Sequence, residues 1–366
     1  MAKILVVDDS ALMRRLLTGV LTGAGHEVQT ANNGRDGVER LVAWKPDAVT
    51  LDINMPQMDG LTALSLMMAA RPTPVVMVSS LTEEGALATL ESLALGAVDF
   101  ITKPSGTISL SIEDIEAQLL DKIRAALRSR PALGVRRQAP ADTLGAPRPR
   151  ASPERARALR PTPSAPASNP ASGPASSLSL VLIGVSTGGP RTLEDILPHL
   201  PADYPFAVLV AQHMPPNFTD AFAKRMDRLC HMRVREVAAP TPLEAGHIYI
   251  GRGGTDMLVS ERLGRLIATP KPESPDHPWH PSVELLVESA MKHVPARQLI
   301  GVMLTGMGND GSRAMSRMRQ QGGRTIAESE ATAVVFGMPN ELINAGGATT
   351  VLPCHDIAKQ LRGWAL

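Results

Sequence analysis

Aromatic side chains are scarce in this chain. Five Phe, two Tyr and three Trp make up 3% of 366 residues. Whatever cores it builds rest on Ala, Val, Leu, Ile and 17 Met, and a hydrophobic share of 43% is ample for that. Cysteine is nearly missing too. Cys230 and Cys354 cannot form a disulfide framework and have no metal-ligand spacing, so they read as buried or idle thiols in a reducing compartment. Charge of one sign is also lacking, since 37 Lys and Arg against 36 Asp and Glu leave a net +1 that argues neither for nor against nucleic acid. No apolar run approaches the ~18 residues of a membrane span. The initial Met-Ala-Lys runs into only four apolar residues, Ile4–Val7, before Asp8, too short for a signal peptide. A soluble, cytoplasmic protein of two or three domains is expected.

What is present is organised around Leu180-Val-Leu-Ile-Gly-Val-Ser186-Thr-Gly-Gly-Pro190. The apolar run reads as a buried strand that stops at a serine among glycines. Pro190 fits the first turn of a following helix, where its missing N–H costs nothing. Strand, sharp turn, serine and helix lift a hydroxyl to the carboxyl edge of a sheet, and Gly184–Gly188 matches the G-x-S-x-G nucleophile elbow. The free N–H groups of the helix start would face a developing oxyanion. The competing reading is a turn that cradles a phosphate or dinucleotide. Against it, the stretch lacks the G-x-G-x-x-G spacing and no Walker lysine is present.

Before this stretch, residues 1–130 alternate apolar runs (Ile4–Val7, Val28–Ala31, Ala48–Leu51, Val75–Val78, Val98–Ile101) with amphipathic segments near Ala11–Gly23, Gly34–Trp44, Leu61–Ala70, Glu84–Leu95 and Ile112–Arg128. Five βα units predict a doubly wound parallel sheet, whose functional groups collect at the carboxyl ends of its strands. Asp8, Asp9, Asp52, Ser79 and Lys103 fall there. Three converging carboxylates repel unless a cation sits among them, and Mg²⁺ suits an all-oxygen cluster. A carboxylate beside Mg²⁺ and Lys103 is a phosphoryl acceptor, with the Ser79 hydroxyl placed to bond a phosphoryl oxygen. Residues 131–177 break the pattern with ten prolines, no aromatics and seven arginines against Asp142 and Glu154, a net +5. This composition predicts a disordered linker rather than a folded unit or a nucleic-acid-binding arm.

Residues 178–366 return to alternating strands and helices. Ser186, His213 and Asp310 each follow an apolar run: Val181–Val185, Phe206–Ala211 and Leu299–Leu304. Parallel neighbouring strands would bring all three to one sheet edge, as a serine–histidine–aspartate relay requires. An ordinary α/β-hydrolase places its histidine last, so Ser186, Asp310 and His355 is the competing set, although His355 looks like a turn or cap residue. His277 and His280 lie in a Pro-rich loop that reads as structural or as a cleft lining. The fold class is α/β, with two doubly wound parallel-sheet domains: a flavodoxin-like unit and a three-layer αβα hydrolase.

Val6-Val-Asp-Asp-Ser-Ala-Leu-Met-Arg14, Leu51-Asp-Ile-Asn-Met-Pro-Gln-Met-Asp-Gly60, Met77-Val-Ser-Ser80 and Phe100-Ile-Thr-Lys-Pro104 resemble the receiver domain of bacterial response regulators. That resemblance implies Asp52 as phospho-acceptor. It implies Mg²⁺ among Asp8, Asp9, Asp52 and the Asn54 carbonyl, Ser79 and Lys103 reading the phosphoryl group, and Phe100 as an aromatic that reorients on activation. Ile183-Gly-Val-Ser-Thr-Gly-Gly189, Gln212-His-Met-Pro-Pro216, His280-Pro-Ser-Val283, Leu304-Thr-Gly-Met-Gly-Asn-Asp-Gly311 and Val335-Phe-Gly-Met-Pro339 resemble the catalytic domain of chemotaxis protein-glutamate methylesterases. This second resemblance implies Ser186 as nucleophile, His213 as base then acid, Asp310 as its orienting carboxylate, and Thr187 with the Met307 N–H at the oxyanion. It implies a hydrolase domain that needs no cofactor. The implied substrates are glutamate methyl esters and selected glutamines of chemotaxis receptors, with a sensor histidine kinase as phosphoryl donor. Nucleic acid and membrane insertion are not expected.

Overall fold

The computed structural model describes residues 1–80, 82–103, 112–129 and 178–365. The predicted linker, 131–177, lies outside the described residues. In the first half, β1 (Lys3–Val7), β2 (Glu27–Ala31), β3 (Ala48–Asp52), β4 (Val75–Ser79) and β5 (Asp99–Thr102) form one parallel sheet in the order β2-β1-β3-β4-β5. Helices α1 (Ala11–Gly23), α2 (Gly34–Trp44), α3 (Gly60–Ala70), α4 (Glu83–Leu95) and α5 (Ile112–Arg128) connect or follow the strands. Their starts are local chemistry. Ser10, Asn33, Asp59 and Thr82 precede α1 to α4, and each side-chain oxygen accepts a first-turn N–H. β1, β3 and β4 are near-continuous apolar runs because helices cover both faces of the sheet, whereas the edge strand β2 is only partly buried.

The second half is built on seven parallel strands in the order β15-β14-β13-β6-β7-β10-β8. They are β6 (Leu180–Val185), β7 (Ala207–Gln212), β8 (Arg233–Val237), β10 (His247–Gly251), β13 (Leu299–Met303), β14 (Arg324–Glu328) and β15 (Thr350–Leu352). Helices α6 (Gly189–Ile196), α7 (Pro216–Leu229), α8 (Val283–His293), α9 (Ser312–Gln320), α10 (Met338–Asn344) and α11 (Cys354–Trp364) pack around the sheet. From β6 the chain passes to β7, crosses to the edge strand β8, and comes back to insert β10 between them. It then returns to the other side of β6 and winds through β13, β14 and β15. The strand order therefore reverses at β6, and the crevice of such a sheet opens at the carboxyl ends there. Ser186 follows β6 directly.

One feature departs from continuous βα alternation. β9 (Thr241–Pro242), β11 (Thr255–Arg262) and β12 (Arg265–Pro272) form a separate antiparallel sheet whose β11 packs on α8. The β11–β12 turn uses Leu263 and Gly264, both left-handed at φ 51° and 73°. That is a two-residue hairpin turn, but leucine in its first position hides the usual Asn-Gly or Gly-Gly signal.

The two halves share apolar packing. Phe100 of β5 and Phe218 of α7 belong to one buried cluster, and α4 of the first half packs on α7 and α6 of the second.

Candidate active site

Strand register brings the serine and histidine together. Val185 pairs with Gln212, so Ser186 and His213 stand side by side beyond β6 and β7, and the His213 N–H bonds the Val185 carbonyl at 3.1 Å. The Ser186 N–H is held by the Thr305 carbonyl at 3.0 Å, and the Gly189 N–H closes the turn on the Ser186 carbonyl at 2.8 Å. Gly188 sits at φ +80°, which a side chain rarely tolerates. Gly306 lies so close that a Cβ on it would stand 2.8 Å from the Ser186 Cβ. Among the described residues, neither the Thr187 N–H nor the Met307 N–H finds an acceptor. Both amides are thus unspent, on turns that meet at Ser186. Met307 lines a hollow of about 490 Å³ together with Gly308, Asn309, Phe336 and Arg128 of α5.

His213 turns its Nε2 to Asp310 Oδ2 at 2.9 Å, while its Nδ1 is buried with no partner among the described residues. Asp310 rests on the N-terminus of α8. Val283 N–H donates to Oδ2 at 2.7 Å, Glu284 N–H to Oδ1 at 3.0 Å, and the Ser282 hydroxyl to Oδ1 at 3.0 Å. Burial pushes the Asp310 carboxyl up, but the His213 ring and the Glu284 and Val283 N–H groups outweigh it, so it ends below its ordinary value. Trp279 lies parallel to the His213 ring, with centroids 6.0 Å apart. The Trp279 contact and the α8 cradle were not foreseen from sequence. A helix start behind Ser282 was the one available signal for the cradle.

The other histidines lie elsewhere. His280 Nδ1 bonds Asp256 Oδ1 at 3.0 Å, and Asp256 also takes the Ser274 and Ser282 N–H groups, so that pair braces the loop ahead of α8. His277 caps its own loop through Ser274. His355 is exposed in the first turn of α11.

In the first half, the carboxylates of Asp8, Asp9 and Asp52 offer oxygens within 4.8 Å of one another. Lys103 Nζ sits 2.7 Å from Asp52 Oδ2 and 3.3 Å from Asp8 Oδ2, the longer contact being one of charge more than direction. Burial, then the charge of Asp52, holds the Asp8 carboxyl above its ordinary value against the pull of Lys103. Burial likewise raises Asp52, with Lys103 opposing. Crowded carboxylates held up in this way are what a divalent cation relieves, and an all-oxygen donor set fits Mg²⁺. The Asn54 N–H donates to Asp52 Oδ1 at 3.3 Å. Ser79 makes no hydrogen bond to Asp52 among the described residues. Its hydroxyl accepts from Thr89 at 2.8 Å and faces the Gly85 carbonyl, tying it to α4.

The two sites are joined across the halves. Asp99, which opens β5, takes the Thr187 hydroxyl at 2.5 Å on one oxygen shared with Lys122 of α5, also at 2.5 Å. Next in sequence, Phe100 meets Phe218 with ring centroids 4.5 Å apart. The turn itself is buried: Ser186 is 8% exposed and Thr187 3%.

Fold and site together define a regulated hydrolase, with a phospho-acceptor domain laid over an α/β domain that carries a serine–histidine–aspartate constellation. Residues 181–361 match the CheB methylesterase family and residues 4–112 the response regulator receiver domain. The protein-glutamate methylesterase/protein-glutamine glutaminase of Rhodospirillum rubrum is 52% identical, over 100% of this chain and 96% of its own length. Those of Rhodopseudomonas palustris and Carboxydothermus hydrogenoformans are 49% and 42% identical, covering 100% and 98% of this chain and 98% of each relative. The Thermotoga maritima CheB methylesterase catalytic domain, a crystal structure, is 35% identical over 51% of this chain and 98% of its own, with a TM-score of 0.49. The chain belongs to the protein-glutamate methylesterase/protein-glutamine glutaminase family.

Proposed function

We propose that Ser186, His213 and Asp310 carry the methylesterase and glutaminase reactions of this family as one relay. Ser186 Oγ attacks the side-chain carbonyl of a glutamyl methyl ester, and His213 takes the hydroxyl proton. The Thr187 and Met307 N–H groups hold the oxyanion. His213 returns the proton to the leaving methoxide, giving methanol, and water then cleaves the acyl-serine through the same base to leave glutamate. With glutamine the leaving group is ammonia. Since Nε2 is committed to Asp310, Nδ1 is the nitrogen that receives the serine proton. The serine-protease arrangement uses the two nitrogens the other way round. The observation that carries this reading is the His213–Asp310 bond beside Ser186, on a carboxylate that two α8 N–H groups hold in place. Release of methanol from methyl-labelled receptor by the wild type, and its loss in Ser186→Ala, tests it. Full release by that variant would sink it.

Regulation follows from the receiver, and we place its boundaries at 1–130, the linker at 131–177 and the catalytic domain at 178–366. Asp52 accepts a phosphoryl group from a sensor histidine kinase. Asp8, Asp9, Asp52 and the Asn54 carbonyl would hold Mg²⁺, which supplies charge neutralisation for the transferring phosphoryl group. Lys103 then exchanges its pairing with Asp52 for the phosphoryl oxygens, Ser79 leaves α4 to join it, and Phe100 shifts. The Asp99–Thr187 bond and the Phe100–Phe218 contact support a resting state in which the receiver obstructs the long helical substrate. The substrates are the methylated helices of chemotaxis receptors, and the enzyme works in the cytoplasm. Among the described residues, no helix is long and apolar enough to cross a membrane.

A further inference from the structure

Glu328, the last residue of β14, is fully buried, and no step above uses it. Its Oε2 accepts the Thr305 N–H at 2.9 Å, and its Oε1 accepts the Thr332 hydroxyl at 2.9 Å. No basic side chain among the described residues pairs with it. The charged group facing it is Asp195 of α6, of its own sign. The Cys354 thiol of α11 also faces it, with Arg191 of α6 acting on that thiol. Burial therefore raises the Glu328 carboxyl, opposed by its two donors, to about 7.

Thr305 is a junction. Its carbonyl holds the Ser186 N–H at 3.0 Å. Its hydroxyl donates to the Thr187 carbonyl at 2.9 Å and accepts the Val335 N–H at 2.9 Å, and the Val335 carbonyl takes the Gly306 N–H at 3.0 Å. One residue thus ties together both turns that bear the unspent amides, and its own N–H is anchored on Glu328. A glutamine could meet the same two partners, accepting from Thr305 and donating to Thr332. Packing and hydrogen-bond count therefore do not call for a charge at this position, and an unpaired buried charge costs the fold.

We propose that Glu328 is a positioning residue for the acyl-transfer site: its carboxylate, through Thr305, fixes the Ser186–Thr187 turn against the Gly306–Met307 turn. A charge-assisted hydrogen bond is shorter and stiffer than a neutral one, so the ionised carboxylate holds Thr305 where the protonated acid or an amide lets it drift. Small displacements of oxyanion donors are costly to rate. The inference rests on the reading of Ser186 as nucleophile.

The test is the rate at which a fluorophosphonate labels the full-length, unphosphorylated chain between pH 5 and 9. Taking the ratio of wild-type to variant rates cancels any pH dependence of domain docking common to both. Glu328→Gln is expected to label about tenfold more slowly than wild type at pH 8. The ratio should approach unity on the acid side, where the wild-type group is protonated too, and the melting temperature at pH 8 should not fall. Thr332→Val removes one donor to the carboxylate and is expected to move the wild-type acid limb to higher pH. Equal rates at pH 8, a ratio that stays constant with pH, or an unmoved limb in Thr332→Val would each overturn the proposal. Labelling that persists in Ser186→Ala would instead refute the nucleophile assignment.

Discussion

Asp99→Ala isolates one contact of the resting state. In the docked arrangement the Asp99 carboxylate takes the Thr187 hydroxyl at 2.5 Å, with both residues buried. When the receiver lifts away, Asp99 keeps its ion pair with Lys122, because both belong to the receiver. The difference between the states is therefore the bond to Thr187 less the cost of drying Asp99 on docking. A hydrogen bond to a charged group is worth roughly 1.5–3 kcal/mol. With the drying cost deducted, we take about 1.5 kcal/mol, close to tenfold in the docking equilibrium. Basal methanol release by unphosphorylated Asp99→Ala should rise about tenfold, with phosphorylated wild type as its ceiling. Asp99→Asn, whose amide oxygen still accepts, should rise less. The assay compares initial rates on methyl-labelled receptor with and without the kinase. A basal rate in Asp99→Ala equal to wild type, while phosphorylation still activates both, would show that this bond does not hold the resting state. A lower rate would mean that Asp99 assists catalysis.

Single changes at Ser186, His213 or Asp310 should each cut turnover roughly 10³-fold or more, and Ser186→Ala with His213→Ala should cost little beyond Ser186→Ala alone, since such groups act as a unit. Losses that multiply would break the relay. Chelation of divalent cations should stop phosphoryl transfer to Asp52 and leave basal methanol release untouched, and a basal rate that fell with it would place a metal in the hydrolase half. Glu328 offers a stability measurement. Its folded value near 7 lies above its ordinary 4.5, so the folded chain keeps a proton that the unfolded chain has lost. Stability due to this group is then fully present below the lower value and falls as pH rises between the two, at up to ~1.4 kcal/mol per unit. Glu328→Gln should therefore melt higher than wild type at pH 8, with the gain vanishing by pH 4. A gain of the same size at both pH values would contradict the linkage.

The elements themselves were legible in the sequence because their causes are local. Apolar runs doubly flanked by amphipathic segments mark strands buried on both faces, and α1, α2 and α5 fall on the residues their periodicity marks. The end of an apolar run is also the end of a strand, so Ser186, His213, Asp310, Asp52 and Lys103 could all be assigned to carboxyl edges before any packing was known. Which strands neighbour one another could not be read. β6 lies between β7 and β13, whose nearest ends, Gln212 and Leu299, are 87 residues apart in sequence, and only that order puts His213 and Asp310 on one serine.

Tertiary structure alone decided the remainder. It chose which ring nitrogen of His213 meets Asp310, because it set α8 under the carboxylate and left Nδ1 toward the interior. Ser79 was correctly placed at a strand end, yet its hydroxyl is spent on α4, since rotamer and partner depend on what packs alongside. Asp99 and Thr187 are 88 residues apart, and their meeting requires two separately folded surfaces to dock. Glu328 looks in sequence like the polar end of a strand. Its place beneath the Ser186–Thr187 turn exists only once Thr305, Val335 and Ser186 arrive from three other segments. Periodicity is a property of neighbours along the chain, whereas a site is a property of neighbours in space. The first can be read along one sequence, and the second is set by the balance of all long-range contacts at once.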